Sequence, residues 1–403
     1  MSSLVGDLDL AEFDITDVGL TGDVYHERLA EARGHGWLVS SPVAYVVLDR
    51  DAGEFFLRAR QTAFPGREIA AMFGISGGRL AEQIDANILN LTGDKHRRLR
   101  QLVAPAFTPR AAARWRPVMR QIASELWDDL AGRAECEFVS WFAGPFPARV
   151  IAAVIGAPQQ DAPSLHEWSG LVQRQFDIRA LAAEPERIER AVGELYDYVQ
   201  ELLDQRRGAP GDDLISTLLA AEEEGERLSG AECVNLVLNV LAGGVDTTAA
   251  QLAHALRLFA AHPEQWTLLG QQPGLVARAV DEVLRFEPIT PFTARICTDQ
   301  IEYRDVIFPA GTIVAICAER ANRETEGGEV FDITGDHGGD RVLTFGAGAH
   351  FCLGQNLARA ELEEALGFLA PRMPGLRSGG PERLGGVEGI YGVETLPLAW
   401  SAS

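Results

Sequence analysis

A single cysteine stands in a glycine-rich segment near the C-terminal end of the chain. Residues 345–354 read Phe-Gly-Ala-Gly-Ala-His-Phe-Cys-Leu-Gly, directly before a predicted helix. Glycines let the backbone approach a flat ligand closely, and a helix N-terminus favours an anion such as the thiolate of Cys352. A thiolate so placed can bind iron and feed it electron density. The alternative is a glycine-rich turn with an incidental buried cysteine.

A second segment of interest lies at the centre of a long apolar helix, where residues 243–248 read Gly-Gly-Val-Asp-Thr-Thr. Two interior glycines cost about 1 kcal/mol each relative to alanine, so a close ligand or a local opening must justify them. Thr247 can bond back to the carbonyl of Gly243 and weaken the helix there. Asp246 beside this hydroxyl indicates proton delivery. The alternative is an ion-paired aspartate with two helix-packing threonines.

Two charged motifs are weaker signals when taken alone. Glu282 and Arg285 place opposite charges on one helix face, an arrangement that is usually worth little at a surface. Residues 94–100 are rich in basic groups on an acidic chain, and His96 and Arg100 share a helix face suited to gripping a carboxylate. The alternative for this second segment is a solvated basic helix end.

This set of motifs, in this order, closely resembles the cytochrome P450 family over roughly residues 27–400. The family pattern Phe-Gly-x-Gly-x-His-x-Cys-x-Gly matches residues 345–354 throughout. Residues 243–248 fit the oxygen-activation pattern of the family's central helix, and Glu282 with Arg285 fits its structural Glu-x-x-Arg pair. The resemblance implies one mainly α fold, a haem b and dioxygen chemistry.

The resemblance also implies roles for individual residues. Cys352 would be the axial thiolate and the metal ligand, while Asp246 and Thr247 would manage protons at the distal oxygen. Glu282 and Arg285 would brace the proximal fold. The remaining cofactor-binding positions are His96, Arg100, Arg295, His350, Phe345 and Gly348.

One position departs from the family pattern. Members usually carry an arginine just before the Phe-Asp that corresponds to Phe331 and Asp332, and this chain has Val330 there. The third partner of the Glu282–Arg285 pair is therefore left open. The candidates to replace it are Arg320, Arg323 and Arg341.

The elements that must hold these residues are mostly helices. A capping box at Ser229 and Glu232 begins the long central helix, and His262-Pro263 ends it. Apolar periodicity predicts further helices over residues 111–130, 188–205, 214–221, 275–286 and 355–369. Short strands are predicted over residues 37–40, 43–48, 303–308, 312–316 and 395–400. The fold class is mainly α with small β-sheets, in a single P450-type domain over residues 1–403 whose first 20 residues are loosely ordered.

Composition excludes several classes of protein. The net charge of -22 argues against a nucleic-acid binder. The acidic N-terminus is no signal peptide, and prolines and an arginine break the most apolar stretch, residues 138–157, so we expect a cytoplasmic protein. Five cysteines, an odd number with no close pair, make a disulfide framework or zinc ribbon improbable. Four of them, Cys136, Cys233, Cys297 and Cys317, are interpreted as small buried hydrophobes.

The family layout suggests substrate-facing segments, namely residues 64–89, 171–181, 239–243, 289–292 and 393–395. Their apolar character predicts a lipophilic substrate. The pocket residues named from these segments are Val240, Gly243, Ile289, Phe292 and Val393. Asn239, Arg179 and Glu394 are candidate polar anchors, with a structural or solvent-exposed role as the alternative.

Electrons must come from another protein, because the chain has neither a nucleotide-binding glycine motif nor a cysteine cluster for iron–sulfur. We expect an acidic ferredoxin on Arg97, Arg98 and Arg110, with NAD(P)H used only indirectly through redox partners. Two other functions are possible for a haem-thiolate protein. A haem-thiolate sensor or carrier needs no distal acid–alcohol pair, and a peroxide-driven peroxygenase typically replaces it, so Asp246 and Thr247 count against both.

Overall fold

The computed structural model describes residues 2–130, 132–223, 228–335 and 341–401, and the statements below concern those residues. Helices dominate this part of the chain. They are α1 (Gly22–Gly34), α2 (Arg50–Arg58), α3 (Gly66–Met72), α4 (Gly78–Ala86), α5 (Gly93–Val103), α6 (Pro109–Ala113), α7 (Arg116–Asp128), α8 (Pro145–Ile155), α9 (Ala162–Gln173), α10 (Ile178–Ala183), α11 (Pro185–Gly208), α12 (Leu214–Glu223), α13 (Gly230–Gly244), α14 (Asp246–Ala261), α15 (Pro263–Gln271), α16 (Val276–Phe286), α17 (Ala318–Asn322) and α18 (Gln355–Leu369).

The strands are short and come from distant parts of the chain. They are β1 (Ser3–Leu4), β2 (Leu38–Ser40), β3 (Tyr45–Val47), β4 (Thr62–Ala63), β5 (Glu135–Glu137), β6 (Phe292–Cys297), β7 (Ile301–Tyr303), β8 (Val306–Phe308), β9 (Ile313–Cys317), β10 (Arg377–Ser378), β11 (Arg383–Leu384), β12 (Val393–Thr395) and β13 (Pro397–Ala399). Mainly α structure with small sheets was the predicted fold class.

The chain forms two compact units. Unit 1 comprises Met1–Pro65, Ala277–Cys352 and Arg383–Glu394. Its main sheet has the order β2-β3-β9-β6-β4, in which β3 runs parallel and β6 antiparallel to β9. The two strands predicted over residues 37–40 and 43–48 are present as β2 and β3, which pair as an antiparallel hairpin. Phe56 of α2 packs with Val314 and Ile316 of β9 in one buried core of this unit.

A strand predicted over residues 303–308 is in fact a tight hairpin of β7 and β8. The chain reverses at Arg304 and Asp305, which take φ angles of +50° and +61°. Such two-residue turns usually carry glycine, asparagine or aspartate with a glycine partner, so Arg304 and Asp305 without a glycine gave only a weak turn signal here. The loop that follows does not join a β8–β9 hairpin, because β8 and β9 belong to different sheets.

The first residues of unit 1 are better packed than the sequence predicted. Loose order was expected over the first 20 residues, yet β1 pairs with β8 and the side chains of Val5, Phe13 and Leu20 are buried. The apolar side chains are spaced too widely to form a periodic pattern. They instead anchor an extended segment to the unit 1 core at separate points.

Unit 2 comprises Gly66–Val276, Leu353–Glu382 and Thr395–Ser403. Its central helices are α13 and α14, and α9, α8 and α18 pack against them. The predicted capping box is present, since the Ser229 side chain accepts from the amide of Glu232 and the Glu232 side chain accepts from the amide of Ser229. The helix ends at Ala261, as the following proline predicted. A small sheet of order β10-β13-β5 completes the unit.

A buried ionic cluster in unit 1 joins distant segments. His26 of α1 lies 3.0 Å from Glu319 and 3.4 Å from Glu287, and both carboxylates are almost fully buried. Arg323 is 3.2 Å from Glu319. Burial opposes the charge on His26, but the hydrogen bonds and charges of the two glutamates prevail and raise its pKa to about 10. The imidazolium therefore offsets two buried negative charges.

This cluster predicts a pH-dependent stability. Because the pKa of His26 is higher folded than unfolded, its contribution is complete below about pH 6.5 and is lost as the pH rises toward 10. We expect His26→Gln to lower the thermal unfolding midpoint by about 5 °C at pH 6. The difference in midpoint between wild type and His26→Gln should become smaller as the pH rises to 10. His35→Gln, at an exposed position, is the control and should change little. A His26→Gln deficit that stays constant over this pH range would contradict the charge assignment.

Candidate active site

The cysteine segment of unit 1 is a closed loop. The amide of Cys352 donates to the carbonyl of Phe345 at 2.9 Å, which joins the two ends of the loop. Gly348 has a φ of +71°, and a Cβ added there would lie 2.6 Å from the carbonyl oxygen of Leu57. Only glycine satisfies both conditions. The loop is thus held against the backbone of α2. The absence of a side chain at Gly348 permits this close backbone contact.

The thiol itself is exposed. Cys352 is exposed, whereas Cys233, Cys297 and Cys317 are buried and Cys136 is half-buried. Burial raises the pKa of Cys297 to about 11 and is the main reason that Cys317 has a pKa of about 12. An incidental buried cysteine is therefore the wrong interpretation of Cys352. Helix α18 begins three residues later, at Gln355, where a helix N-terminus favours a thiolate.

Aromatic and basic side chains surround the loop. The rings of Phe345 and Phe351 meet edge to face, with centroids 6.4 Å apart. The guanidinium of Arg341 lies 3.5 Å from the ring centroid of Phe351. His350 is half-buried in a single 3-10 turn with Gly348. These contacts restrict the loop on the N-terminal side of the cysteine.

Arg295 is a buried cation whose positive charge has no carboxylate partner among the residues described. It lies on β6, is 4% exposed, and donates to the neighbouring carbonyl of Ala294 at 2.8 Å. Among the residues described, no carboxylate lies within ion-pair distance of it. Burial lowers its pKa to about 10. Buried charges are normally paired, so this position fits an anionic group supplied by a ligand.

The other predicted cofactor residues lie in unit 2. His96 and Arg100 of α5 share a helix face, as the spacing predicted, and His96 is buried. Burial first, and the charge of Arg100 second, lower the pKa of His96. The predicted set thus falls into two groups, with the loop residues and Arg295 in unit 1 and the pair on α5 in unit 2.

The central helix of unit 2 opens where the sequence predicted. Regular helix stops at Gly244 and resumes at Asp246, and the hydroxyl of Thr247 donates to the carbonyl of Gly243 at 2.6 Å. The two glycines have different roles. A Cβ on Gly244 would lie 3.0 Å from Ile151 of α8, so Gly244 permits helix packing. One on Gly243 would meet no atom within 4 Å, so Gly243 borders open space.

Asp246 lies among residues that the motif did not reveal. Its Oδ2 lies 3.0 Å from the hydroxyl of Ser169, and its Oδ1 lies 3.7 Å from Nε2 of His166. Burial is the largest influence and raises the pKa of Asp246, while the charge of His166 and the Ser169 hydrogen bond act against it. Both partners lie on α9, too far along the chain for a local motif to indicate them.

Ser169 is fully buried between two acceptors. Its oxygen lies 2.9 Å from the carbonyl of Leu241 and 3.0 Å from Asp246. A serine hydroxyl carries one hydrogen and can donate to one acceptor at a time. Both contacts become hydrogen bonds when Asp246 is protonated, because Asp246 then donates to Ser169 while Ser169 donates to Leu241. The geometry therefore provides a place for a proton on Asp246.

Comparisons with known proteins identify the family. The cytochrome P450 family model matches residues 171–269 and 271–369. Luteothin monooxygenase of Streptomyces thioluteus is 33% identical over 402 residues, covering 98% of this chain and 97% of the relative. The mycinamicin IV hydroxylase/epoxidase of Micromonospora griseorubida is 35% identical, covering 79% of this chain and 81% of the relative.

The chain belongs to the cytochrome P450 family. The crystal structure of CalO2 matches it with a TM-score of 0.90 and 30% identity, covering 98% of this chain and 100% of that one. The resemblance drawn from the motifs is therefore confirmed, as are the P450 fold class and the assignment as a P450 monooxygenase. The family implies a haem iron and dioxygen as co-substrate.

The structural ion pair of this P450 is intact despite Val330. Arg285 makes two contacts with Glu282, at 2.7 and 2.8 Å, and both residues are buried. Arg285 also donates to the carbonyls of Gly328 and Val330, and Glu282 accepts from the amide of Asp332. Backbone groups around Val330 thus bind both members of the pair.

The three arginines proposed as substitutes are engaged with other groups. Arg320 pairs with Glu329 at 2.6 Å. Arg323 donates to the carbonyl of Phe286 and belongs to the His26 cluster. Arg341 lies over a phenylalanine of the cysteine loop. The backbone around residue 330 makes the contacts described above without an arginine side chain at that position.

The candidate pocket residues differ in their surroundings. Val240 is half-buried and Gly243 is exposed, both on α13. Ile289 and Val393 are buried, and Phe292 packs edge to face on Tyr25 in the unit 1 core. Of the candidate polar anchors, Asn239 bonds back to the carbonyl of Asn235, Glu394 pairs with Arg383 on the surface, and Arg179 is exposed.

One helix of the described chain, Gly230–Ala261, is long and apolar enough to cross a membrane. The most apolar window of this helix is 56% buried within the protein. Core helices of soluble proteins have the same length and composition. A cytoplasmic location stays a prediction.

Proposed function

We propose that this P450 is a haem-thiolate monooxygenase in which the thiolate of Cys352 would hold the iron of a haem b. It would insert one oxygen atom of O2 into a lipophilic small molecule by hydroxylation or epoxidation. The observation that carries the proposal is the exposed thiol of Cys352 on a closed glycine loop, three residues before a helix N-terminus. A thiolate ligand would increase the electron density at iron, which favours O–O cleavage.

The residues present fit a haem. Its propionates would supply the anionic charge that buried Arg295 lacks among the described residues. On the family resemblance, His96, Arg100 and His350 would also bind propionates. Phe345 and Gly348 would border the macrocycle from the cysteine loop. The haem supplies the iron at which dioxygen is bound and activated.

Two side chains of the central helix would handle protons. Asp246 would hold a proton on Oδ2 and donate it in a hydrogen bond to the hydroxyl of Ser169. It would exchange this proton with solvent through His166, whose side chain is 39% exposed. Thr247 donates its hydroxyl hydrogen to Gly243. Its lone pairs are then available, so it would accept a hydrogen bond from water or from a protonated oxygen.

The relatives support oxygenation of a small molecule, while its lipophilic character is inferred from the apolar substrate-facing segments. The names of relatives include a hydroxylase/epoxidase acting on mycinamicin IV and a nocardicin C N-oxygenase. Asp246 and Thr247 favour dioxygen over peroxide as the oxidant, because the peroxygenase alternative typically lacks this acid–alcohol pair. The same pair counts against the haem-thiolate sensor or carrier, which has no use for proton delivery.

The electron donor would be a separate acidic ferredoxin. Of the three predicted docking arginines, Arg97 pairs with Asp94 and Arg98 pairs with Glu232. Arg110 is exposed and has no ion-pair partner among the described residues. Attraction of an acidic partner to a protein of charge -22 requires a local positive surface. Arg110 is therefore the strongest of the three candidates.

The axial ligand is tested by spectroscopy. We expect Cys352→His to retain haem but to lose the strongly red-shifted absorption band of the reduced, carbon-monoxide-bound protein, because imidazole donates less charge to iron. Cys136→Ser, at the half-buried cysteine, is the control and should keep the band. A normal band in Cys352→His would end the assignment of Cys352.

The proton role of Thr247 is tested by a nearly isosteric change. Thr247→Val removes the hydroxyl, so product per electron pair should fall severalfold while hydrogen peroxide rises. Thr248→Val is the matched control, because Thr248 is 3% exposed and packs in the core. Both variants are compared with wild type on one substrate that wild type oxidises efficiently. If Thr247→Val and Thr248→Val give the same product-to-peroxide ratio as wild type, the hydroxyl has no proton role.

The docking site is tested by salt dependence. The rate of reduction by an acidic [2Fe–2S] ferredoxin should fall severalfold between low and physiological salt, where exposed charges are screened beyond about 8 Å. Arg110→Glu should flatten this dependence. Arg133→Glu, an equal charge change at another exposed arginine, should not. Equal slopes in the two variants would remove Arg110 from the docking surface.

A further inference from the structure

Helix α4 carries a buried carboxamide that no group in the described part of the chain satisfies. Gln83 is 2% exposed, and both its Nε2 and its Oε1 are buried without a hydrogen-bond partner among the described residues. Leu80, Gln83 and Ile84 are the buried positions of α4 and define its inner face. Helix α4 packs against α11 and α13 of the same unit. A polar side chain thus occupies an apolar face.

A second buried amide, that of Asn90, is held at the end of the same helix. Asn90 donates from Nδ2 to the carbonyl of Ile84 at 2.8 Å, which holds its side chain at the C-terminal turn of α4. The Oδ1 of Asn90 is buried and has no partner in the described part of the chain. Together, Gln83 and Asn90 present two carbonyl acceptors and one NH2 donor group that have no hydrogen-bond partner in the residues described.

Such groups need an explanation, because buried polar side chains in folded proteins are nearly always hydrogen-bonded. A methionine or leucine at position 83 would fill the same space without an unpaired amide. The neighbouring helix α13 also borders open space, since Gly243 is exposed and a Cβ there would meet no atom within 4 Å. Polar groups that orient a ligand in an otherwise apolar pocket have this character.

We propose that Gln83, assisted by Asn90, is a polar anchor for the substrate, and that the substrate is a neutral lipophilic molecule bearing a hydroxyl or carboxamide group. This inference rests on the proposed function. The anchored group must donate as well as accept, because the two free carbonyls outnumber the one NH2 group. An ether or a hydrocarbon would leave them unpaired. A carboxylate is disfavoured, since these amides would not neutralise its charge.

The first test needs no knowledge of the substrate. Gln83→Met keeps the length of the side chain and removes its unpaired polar atoms. In the ligand-free holoenzyme we expect its thermal unfolding midpoint to rise by about 2 °C or more above wild type. Gln205→Met, at an exposed position of α11, is the control and should leave the midpoint unchanged. A Gln83→Met midpoint below wild type would mean that a buried water only, or a protein group, satisfies the amide, and would overturn the proposal.

The second test measures selectivity with two probes of equal length, 1-dodecanol and 1-methoxyundecane. Titrated into the holoenzyme and followed by the haem absorption spectrum, the alcohol should bind wild type about 10-fold more tightly than the ether, a difference of about 1.4 kcal/mol. Gln83→Met should abolish the preference. No preference in wild type, or an unchanged preference in the variant, overturns the anchor. Failure of the monooxygenase assignment is distinguishable, because the reduced carbon-monoxide band of wild type would then be missing.

Discussion

The rest of the site depends on how the chain holds one thiol. The loop that ends in Cys352 is closed by a hydrogen bond from the cysteine amide to Phe345. It also rests on the backbone of α2, where only a glycine fits at position 348. A metal ligand must keep its geometry when its partner binds, and a side chain on a free loop would lose conformational entropy at that step. Because the loop is already closed in the folded protein, much of this conformational entropy is lost on folding and not on metal binding.

The second constraint is the break in the central helix. A continuous helix would use every backbone carbonyl internally, whereas the hydroxyl of Thr247 takes the carbonyl of Gly243 and the helix opens at Val245. Asp246 restarts the helix with a carboxyl that can hold a proton against Ser169. The fold thus gives up helical regularity at the position where the proposed chemistry needs polar groups.

Much of this architecture could be predicted from the sequence. The capping box at Ser229, the helix before Pro263 and the helix after the cysteine loop follow from local patterns, which act within a few residues. The opening at Thr247 was also predictable, because its partner is four residues away. The hairpin at Arg304 and Asp305 was not, because arginine is not typical of that turn and no glycine accompanies the aspartate.

Tertiary contacts were beyond local reasoning. Ser169 and His166 approach Asp246 only through the packing of α9 on the central helices, and nothing in the sequence near Asp246 indicates them. The contacts around Val330 could not be predicted either, because backbone carbonyls are present at every residue and the sequence does not show which of them will bind Arg285. Gln83 belongs to the same class, since an isolated glutamine in a helix has no meaning until its burial is known.

Iron-edge X-ray absorption of the resting holoenzyme tests the central claim, that Cys352 binds the haem iron, most directly. The account predicts one sulfur scatterer in the first coordination shell of wild type. It predicts only nitrogen and oxygen scatterers in Cys352→Ser, with the sulfur retained in Cys136→Ser. A wild-type shell without sulfur, or a sulfur that persists in Cys352→Ser, would contradict the account.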